Sequence, residues 1–275
     1  MGTLYIVATP IGNLEDLSPR AVRIMDEVGL IAAEDTRRTR KLLSYFEINT
    51  PLTSYFEHNK IKKLDRILSA LSSDDVALVS DGGMPTISDP GYHLVRSALE
   101  SGYNVLSVPG PSALMAALSI SGLPTDAFVY LGFLPRKSSE RQRVLSDNSA
   151  DVRTLVFFES PYRLLDSLAD IESELGNRPI AVCRELTKIH EEIFRGDIRS
   201  AIAHFNNSAV RGEITLVVGG CPKALVDKWN DDLTLAHLKS SVQSGKTLSE
   251  ASKEVAKKSG WLRKDVYSLG LQDKF

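Results

Sequence analysis

The sequence has few of the residues that build metal centres or disulfide frameworks. Its 275 residues include only two cysteines, Cys183 and Cys221, and five histidines. Two isolated cysteines are too few for a disulfide framework, and a zinc site needs clustered ligands. We therefore expect no metal centre, and a reducing cytoplasm fits this cysteine content best.

Long apolar runs and signal-like segments are missing as well. No window of the sequence approaches the ~20 apolar residues that a membrane span requires. The first residues, MGTLYIVATPIGN, carry no charged leading segment and reach a Pro-Ile-Gly turn after a short apolar stretch. We interpret them as a first strand rather than a signal peptide or an anchor, and we expect no membrane contact.

A strong charge of one sign is the third absence, since 33 Lys and Arg residues stand against 35 Asp and Glu residues. This balance excludes the overall basicity of a histone-like protein but leaves local basic patches open. With 43% hydrophobic and 25% charged residues, the composition is that of a globular protein. Because a single core stops growing near ~250–300 residues, the length suggests two domains with a small appendage.

Short β-rich runs alternate with longer amphipathic runs over most of the chain, which is typical of α/β folds. The turn formers SGLPTD indicate a domain boundary, and after Cys221 no strand-like run remains. We predict an N-terminal α/β domain over 1–122, a second α/β domain over 123–222 and a small helical domain over 223–275. The predicted strands are 4–8, 30–33, 76–80, 104–108, 127–133, 153–158, 180–185 and 213–220, and the predicted helices of the α/β domains are 19–28, one reaching 41–43, 59–71, 92–100, 112–119, 161–174 and 197–206.

The predicted helical domain contains a clear helix start. Thr247 is followed three residues later by Glu250, which is the pattern of a capping box. Ser259 and Gly260 then interrupt the chain before a further helical run, giving an outline similar to a helix-turn-helix. From this outline, a packing appendage is at least as good an interpretation as a nucleic-acid-binding unit.

The most informative stretch is SDGGMPTISDPG at 80–91, directly after a predicted strand. Strand, glycine-rich loop and helix in this order place backbone amides at the carboxyl end of a sheet, where α/β proteins bind ligands. Gly82 and Gly83 permit close backbone approach, yet the loop matches neither the dinucleotide fingerprint nor the Walker phosphate loop. A second strand ends in VPGPSA at 108–113, where Ser112 is either a helix N-cap or a ligand contact.

Eight segments of the sequence form an ordered set. They are TPIGNLEDLSPRA near the start, IAAEDTRRTRKLL at 31–43, SDGGMPTISDPG, VPGPSA, LGFLPRK at 131–137, FFESPYR at 157–163, CRELTKIHEE at 183–192 and RGEITLVV at 211–218. Together they resemble the tetrapyrrole methylase superfamily and, within it, the ribosomal RNA small subunit methyltransferase I family. The likeness covers nearly the whole chain, whereas tetrapyrrole-modifying members lack the EDTRRT segment and the tail.

The resemblance implies a class III methyltransferase architecture, with S-adenosylmethionine bound in a cleft between two α/β domains. It also implies a homodimer that acts on the small ribosomal subunit, transferring methyl to the ribose 2′-hydroxyl of a cytidine in the decoding region of 16S rRNA. The cofactor-binding positions that it carries onto this sequence are Pro10, Gly82, Gly83, Met84, Ile87, Ser112, Ala113, Phe158, Glu159 and Leu186.

Methyl transfer from a sulfonium requires alignment and a proton acceptor rather than a protein nucleophile, because the sulfonium is already a strong electrophile. We favour Glu34 and Asp35 as the catalytic pair, since the strand LIAA places them at its carboxyl end. The alternative is that Asp35 or Thr36 caps the next helix while Glu34 pairs with an arginine. The further candidates for the proton acceptor are His58, Asp89, Glu159 and Glu185.

Between Thr36 and Lys63, seven basic residues stand against two acidic ones, which predicts a local basic patch. We assign RNA contacts to Arg37, Arg38, Arg40 and Lys41, and to Arg136 and Lys137 of a second, weaker patch. The other members of the patches are Lys60, Lys62 and Lys63 in the first, Arg141 and Arg143 in the second, and Lys253, Lys257, Lys258, Arg263 and Lys264 in the tail. The candidate stacking partners for bases are Tyr45, Phe46, Tyr55 and Phe56. The alternative interpretation is a solvated helix face over a packed core.

Two other functions fit parts of this pattern. A small-molecule methylase acting on a tetrapyrrole would have a cleft lined by neutral and apolar residues rather than by arginines. A non-catalytic RNA-binding assembly factor would keep the fold without the methyl transfer.

Overall fold

The computed structural model of the chain describes residues 2–56, 60–206, 210–222, 229–261 and 263–272. These residues include ten strands, which form two five-stranded sheets, and eleven α-helices. The strands are β1 (Thr3–Val7), β2 (Leu30–Ala33), β3 (Leu52–Ser54), β4 (Val76–Val79), β5 (Asn104–Val108), β6 (Phe128–Phe133), β7 (Thr154–Glu159), β8 (Pro179–Arg184), β9 (Glu192–Asp197) and β10 (Ile214–Val218). The helices are α1 (Pro19–Glu27), α2 (Thr36–Tyr45), α3 (Lys60–Leu71), α4 (Tyr92–Glu100), α5 (Ala113–Ile120), α6 (Ser138–Asp147), α7 (Leu164–Leu175), α8 (Ile198–Asn206), α9 (Asp231–Gln243), α10 (Leu248–Ser259) and α11 (Arg263–Gln272), with single 3₁₀ turns at Leu14–Asp16 and Pro161–Arg163.

The first sheet is parallel throughout, with strand order β3-β2-β4-β1-β5. Every residue of β2 and β4 is buried, as expected for parallel strands covered on both faces. Helices α1 and α2 cover one face through residues such as Ile24 and Leu43. Helices α3 and α4 cover the other face through residues such as Ile67 and Leu94. The carboxyl ends of all five strands therefore lie at one edge, where ligands bind in this type of sheet.

The second sheet is mixed, with strand order β6-β7-β10-β8-β9. Strand β10 runs antiparallel to β7 and β8, so the carboxyl ends of β7 and β8 and the amino end of β10 share one edge. Helices α6, α7 and α8 cover one face, and their core includes Phe157, Leu168 and Phe205. The α/β fold predicted from the alternating pattern is confirmed.

Helix α5 connects the two halves because it packs on the second sheet although it follows the first. Its residues Ala117 and Leu118 lie in one core with Val156 and Val217. The helix is mostly apolar, with Ala117 and Leu118 buried against the second sheet and Met115 52% exposed on its other side. The predicted boundary at 122 falls in the loop between α5 and β6; the division into domains remains a prediction.

Helices α9, α10 and α11 share a core of their own, formed by Leu238, Ala251, Val255 and Val266. The predicted capping box is confirmed, because Thr247 and Glu250 exchange hydrogen bonds at the start of α10. No helix within the described ranges is long and apolar enough to cross a membrane.

Candidate active site

A cleft of about 460 Å³ lies where the carboxyl edge of the first sheet faces the second sheet. Its volume is in the range of small-molecule sites in proteins. The first half contributes Pro10, Ile11, Gly12, Leu14, Glu34, Arg38, Asp81, Gly82, Gly83, Met84, Ile87, Ser88, Asp89, Ser112 and Ala113. The second half contributes Phe133, Phe158, Glu159, Cys183, Leu186, Lys188, Glu213, Ile214 and Thr215. All ten positions predicted to bind the cofactor line this cleft, and their role there remains a prediction.

The glycine loop that follows β4 is fixed to the segment after β1. Thr9 and Gly83 exchange two backbone hydrogen bonds, with N···O distances of 3.0 and 2.8 Å. Gly83 has a φ of +90°, which favours glycine, and a Cβ on Gly82 would lie 3.2 Å from the Pro10 carbonyl oxygen. Two peptide segments therefore approach each other closely at the floor of the cleft.

The far end of the same loop contacts the second sheet. Thr86 and Ser88 have positive φ values of 76° and 62°, which are costly for residues with a Cβ. The Ser88 hydroxyl lies 2.7 Å from the hydroxyl of Tyr130 in β6. Gly132, also in β6, leaves room for this approach, because a Cβ there would lie 3.3 Å from Ser88 Oγ. The strained loop is thus tied to both walls of the cleft.

Ser112 begins helix α5 at the edge of the cleft. Its side chain accepts a hydrogen bond from the Met115 amide at 3.4 Å, which is the N-cap geometry weighed from the sequence. Because the helix starts at the cleft, its first amides and the positive end of its dipole face that space.

Three carboxylates from the first half, Glu34, Asp81 and Asp89, line the cleft. The Asp81 amide donates to Glu34 Oε2 at 3.2 Å, and Arg38 lies 3.3 Å from the Asp81 carboxylate. Burial raises the pKa of Glu34 above its ordinary value. Burial and the neighbouring Glu34 charge raise the pKa of Asp89 to about 6, against a hydrogen bond from Ser80 that lowers it. Glu34 and Asp89 therefore have the electrostatic setting of proton acceptors near neutral pH.

Asp35 occupies a different position from its neighbour Glu34. It is the N-cap of α2 and accepts from the Arg37 amide at 2.8 Å. Its carboxylate also pairs with the Arg37 guanidinium at 2.7 Å. These hydrogen bonds hold the pKa of Asp35 well below its ordinary range. Asp35 is absent from the cleft lining, so the capping role weighed from the sequence is confirmed for this residue.

The wall from the second half contains two charge networks. Glu159 is buried, and its carboxylate is held by Arg163 at 2.6 Å and by the Ser167 hydroxyl at 2.5 Å. Lys188 pairs with Glu185 at 2.9 Å and with Glu213 at 3.2 Å. Partial burial raises the pKa of Glu185, but hydrogen bonds from the Glu213 amide and from Lys188 outweigh it and lower the pKa. Because Glu159 and Glu185 are both engaged, neither is placed as well as Glu34 or Asp89 to accept a proton.

Five of the six residues to which we assigned RNA contacts have exposed side chains outside the cleft lining. They are Arg37, Arg40 and Lys41 on α2, and Arg136 and Lys137 before α6. Arg38 is exposed as well but lines the cleft through its pair with Asp81. Their contact with RNA remains a prediction.

Two members of the predicted basic and aromatic surface are interior residues. Arg141 is 3% exposed and binds the carboxylate of Asp170 through Nε at 2.6 Å, so its place in the second patch was wrong. Tyr55 is 1% exposed and lies in the core of the first sheet, so it is no stacking partner. His58 lies outside the described residues, as do the side chains of Lys60, Lys62 and Lys257.

The cleft also contains residues that the sequence did not single out. Asp81 and Ser88 lie within the glycine-rich segment at 80–91, so that segment alone could have identified them as cleft residues. Lys188 and Glu213 have no local signal, because they meet only where the ends of β8 and β10 adjoin in the sheet. Within the described ranges, no group of three or more His, Cys, Asp or Glu side chains is arranged to hold a metal ion.

The chain matches the family Tetrapyrrole (Corrin/Porphyrin) Methylases over residues 3–202. Among solved structures, the uroporphyrin-III-C-methyltransferase of Thermus thermophilus is similar with a TM-score of 0.54 and 20% identity, over 80% of this chain and 94% of that chain. At such identity the likeness shows the fold alone. The fold is that of the tetrapyrrole methylases.

Two relatives define the branch more narrowly. Ribosomal RNA small subunit methyltransferase I from Halalkalibacterium halodurans is 44% identical over 276 residues, covering 99% of this chain and 96% of that protein. Its counterpart from Thermotoga maritima is 50% identical over 221 residues, covering 80% of this chain and 99% of that protein. This chain is therefore a methyltransferase that belongs to the tetrapyrrole methylase family and, within it, to the ribosomal RNA small subunit methyltransferase I family. The resemblance drawn from the eight segments is confirmed.

Proposed function

We propose that this chain transfers a methyl group from S-adenosylmethionine to the ribose 2′-hydroxyl of a cytidine in the decoding region of 16S rRNA. The observation that carries the proposal is the contrast between an acidic, glycine-floored cleft and a basic surface outside it. Five carboxylates line the cleft against two cationic side chains, whereas arginine and lysine side chains lie exposed on α2 and before α6.

The residues of the cleft fit S-adenosylmethionine. Gly82 and Gly83 leave the backbone next to the Pro10 segment open to a ligand. A Cβ on Gly82 would occupy part of that space, against the Pro10 carbonyl oxygen. Met84, Ile87 and other apolar side chains suit an adenine ring, and the Ser112 hydroxyl with the first amides of α5 suits a carboxylate or ribose hydroxyls. The cleft's carboxylates favour a molecule that carries positive charge.

When bound, S-adenosylmethionine supplies an electrophilic methyl group on a sulfonium. In our proposal, Glu34 accepts the proton of the ribose hydroxyl while the ribose oxygen takes the methyl group. Asp89 shares this task through its charge coupling to Glu34. Asp35 positions Glu34 indirectly, since it caps α2 and its amide donates to Asp81 at 3.0 Å.

A folded RNA substrate is favoured over a tetrapyrrole by the charges at the cleft. Arg38 lies in the cleft lining with 66% of its side chain exposed, and Arg37 beside it is 85% exposed. Exposed guanidinium groups suit phosphates, and those of Arg37 and Arg40 lie outside the cleft lining, where a macrocycle bound inside the cleft would not contact them. The names of the two relatives agree with this choice.

Mapping of methylated nucleotides in 16S rRNA from cells with and without the protein tests the substrate. We expect one cytidine 2′-O-methylation to disappear when the protein is absent and to return with the wild-type chain.

A second experiment identifies the acceptor by offering purified small subunits, free 16S rRNA or a porphyrinoid, each with labelled S-adenosylmethionine. Methylation of the porphyrinoid alone would overturn the proposal. RNA binding without methyl transfer, unchanged by Gly83→Val, would favour the assembly factor.

We further propose that the chain works as a homodimer in the cytoplasm, where its ribosomal substrate is found. Leu99 of α4, Leu106 of β5 and Met115 of α5 are 58%, 48% and 52% exposed, and β5 is an edge strand. Such exposed apolar side chains on neighbouring elements suit a second copy of the chain. Leu106→Glu should shift the mass measured by light scattering from two chains to one; a wild-type chain that is already monomeric would contradict the dimer.

A further inference from the structure

Tyr162 is an aromatic side chain that the fold holds out into solvent beside the cleft. It is 94% exposed, although most large aromatic side chains lose surface on folding. It follows directly after β7, whose last residues Phe158 and Glu159 line the cleft. Its position is therefore at the rim of the proposed active site, on the side of the second sheet.

The turn that carries Tyr162 is held by a buried ion pair and a hydrogen bond. Pro161 begins the 3₁₀ turn, and Arg163 ends it. The Arg163 guanidinium binds the fully buried Glu159 carboxylate at 2.6 Å and the Leu134 carbonyl oxygen at 3.0 Å. Movement of the turn would separate this pair and leave the buried Glu159 charge uncompensated, which favours the observed conformation. Because the backbone of the turn is already ordered, a partner that binds the ring has to order only the two side-chain torsions of Tyr162.

The surroundings of Tyr162 combine aromatic and positive groups. The hydrogen bond from Arg163 to Leu134 ties the turn to the segment that follows β6. Phe133, the last residue of β6, is 57% exposed, lines the cleft and contacts the Phe158 ring edge to face, with centroids 5.5 Å apart. Arg136 follows three residues later and is exposed. Exposed rings next to cations are the groups with which proteins bind unpaired nucleotides.

We infer that Tyr162 is a stacking platform for an unpaired base of the RNA substrate, next to the nucleotide whose ribose enters the cleft. The inference rests on the proposed function, since it names the part of the RNA that this rim binds. Arg136 supplies the matching charge for the backbone of the same strand. A ribose inside a regular A-form helix could not reach the floor of the cleft, so the strand must leave the helix, and its exposed bases need a stacking partner.

Steady-state methylation of small subunits by wild type, Tyr162→Ala, Tyr162→Phe and Val152→Ala tests the inference. Val152 is 51% exposed just before the start of β7, at the opposite edge of the sheet, and serves as the matched control. Loss of one stacked base corresponds to a roughly 5- to 150-fold weaker affinity. We expect Tyr162→Ala to raise KM for the subunit by that factor with an unchanged calorimetric Kd for S-adenosylmethionine. Tyr162→Phe and Val152→Ala should remain within twofold of wild type.

Three results would overturn the inference. One is a KM for Tyr162→Ala within twofold of wild type. Another is an equal loss in Tyr162→Phe, which would indicate a hydrogen bond from the hydroxyl rather than stacking. The third is a change of oligomeric state in Tyr162→Ala by analytical ultracentrifugation, which would assign the ring to a protein interface. A wild-type protein that methylates no subunit would contradict the proposed function itself. In that case, filter binding of subunits to wild type and to Tyr162→Ala would still decide whether the ring binds RNA.

Discussion

Glu34 and Asp35 are adjacent in sequence but differ in their capacity to accept a proton. Burial raises the pKa of Glu34, whereas the Arg37 side chain and amide hold the pKa of Asp35 well below its ordinary range. A carboxylate with a very low pKa is a weak base. We expect Glu34→Gln to lower kcat by about 10²–10⁴-fold and Asp35→Asn by less than tenfold, because asparagine also caps helices. Single-turnover methylation checks this, and the reverse order of the two variants would move the base to Asp35.

We expect Asp89 to make the activity depend on pH. Its pKa is raised to about 6, first by burial and then by the charge of Glu34. If the ionised pair accepts the proton, kcat/KM should fall as pH decreases through about 6, and Asp89→Asn should shift or remove this inflection. A pH-rate profile from pH 5 to 8.5 measures it. A profile that is flat across this range in the wild type would contradict a role for Asp89.

The same carboxylate should cost stability at neutral pH. Its folded pKa, about 6, lies above the ordinary value of 3.8, so the folded chain holds the proton more tightly than the unfolded chain. Stability is therefore lost as pH rises from about 4 to 6, and the loss is complete above that range. Because Asp89 is only partly buried and solvent screens its charge, Asp89→Asn should raise the free energy of unfolding by about 1–2 kcal/mol at pH 8 and by less at pH 5. Thermal unfolding at both pH values tests this, and an equal gain at both would contradict it.

At the scale of elements, the hydrogen bond between Ser88 and Tyr130 joins the glycine loop to β6 at 2.7 Å. Tyr130→Phe removes the hydroxyl and keeps the ring, whose centroid lies 5.2 Å from that of Phe158. We expect a stability loss of only about 0.5–1.5 kcal/mol. Cofactor affinity should fall several-fold, because the strained loop loses its tie to the second sheet.

Tyr103→Phe is the matched control for this element, since its hydroxyl donates to the Leu68 carbonyl oxygen far from the loop. Hydrogen exchange of the amides over residues 82–88 should become faster in Tyr130→Phe and remain unchanged in Tyr103→Phe. Unchanged exchange in both variants would show that the loop is held by its other contacts.

Sequence periodicity predicted the elements with apolar patterns and missed three others. Strand β3 is three residues long, too short for an alternating pattern to appear. Strand β9 is a partly exposed edge strand of mixed polarity, EIFRGD. Helix α6 reads as a polar loop because one of its two buried residues is Arg141, whose charge is satisfied by Asp170. In each case tertiary contacts rather than local pattern determine the element.

The residues of the candidate site also divide into those that the sequence could predict and those that it could not. The glycine loop and Ser112 could be predicted because short segments carry their whole signal. Lys188 and Glu213 could not, since they are 25 residues apart and form one ion pair only after the sheet has formed. The different roles of Glu34 and Asp35 also required the fold, because both follow the same buried strand and only their contacts separate them.

At the scale of the whole molecule, an acidic cleft lies beside a locally basic surface on α2, although the net charge is only −2. Arg40 and Lys41 lie on the exterior of α2, whereas Arg38 pairs with Asp81 inside the cleft lining. A double charge reversal, Arg40→Glu with Lys41→Glu, should therefore weaken RNA binding without changing cofactor affinity. Arg38→Glu should weaken both.

Salt titration of RNA binding distinguishes these variants from a general loss of positive charge. Each phosphate contact contributes about 0.7–0.9 to the slope of log K against log salt concentration. Reversal of Arg40 and Lys41 should lower that slope by about 1–2, while calorimetry gives an unchanged Kd for S-adenosylmethionine. Arg199→Glu, 71% exposed on α8 near the amino end of β8, is the control and should leave the slope near that of wild type. Equal slopes in all variants would mean that RNA approaches the cleft from another side, past the second sheet.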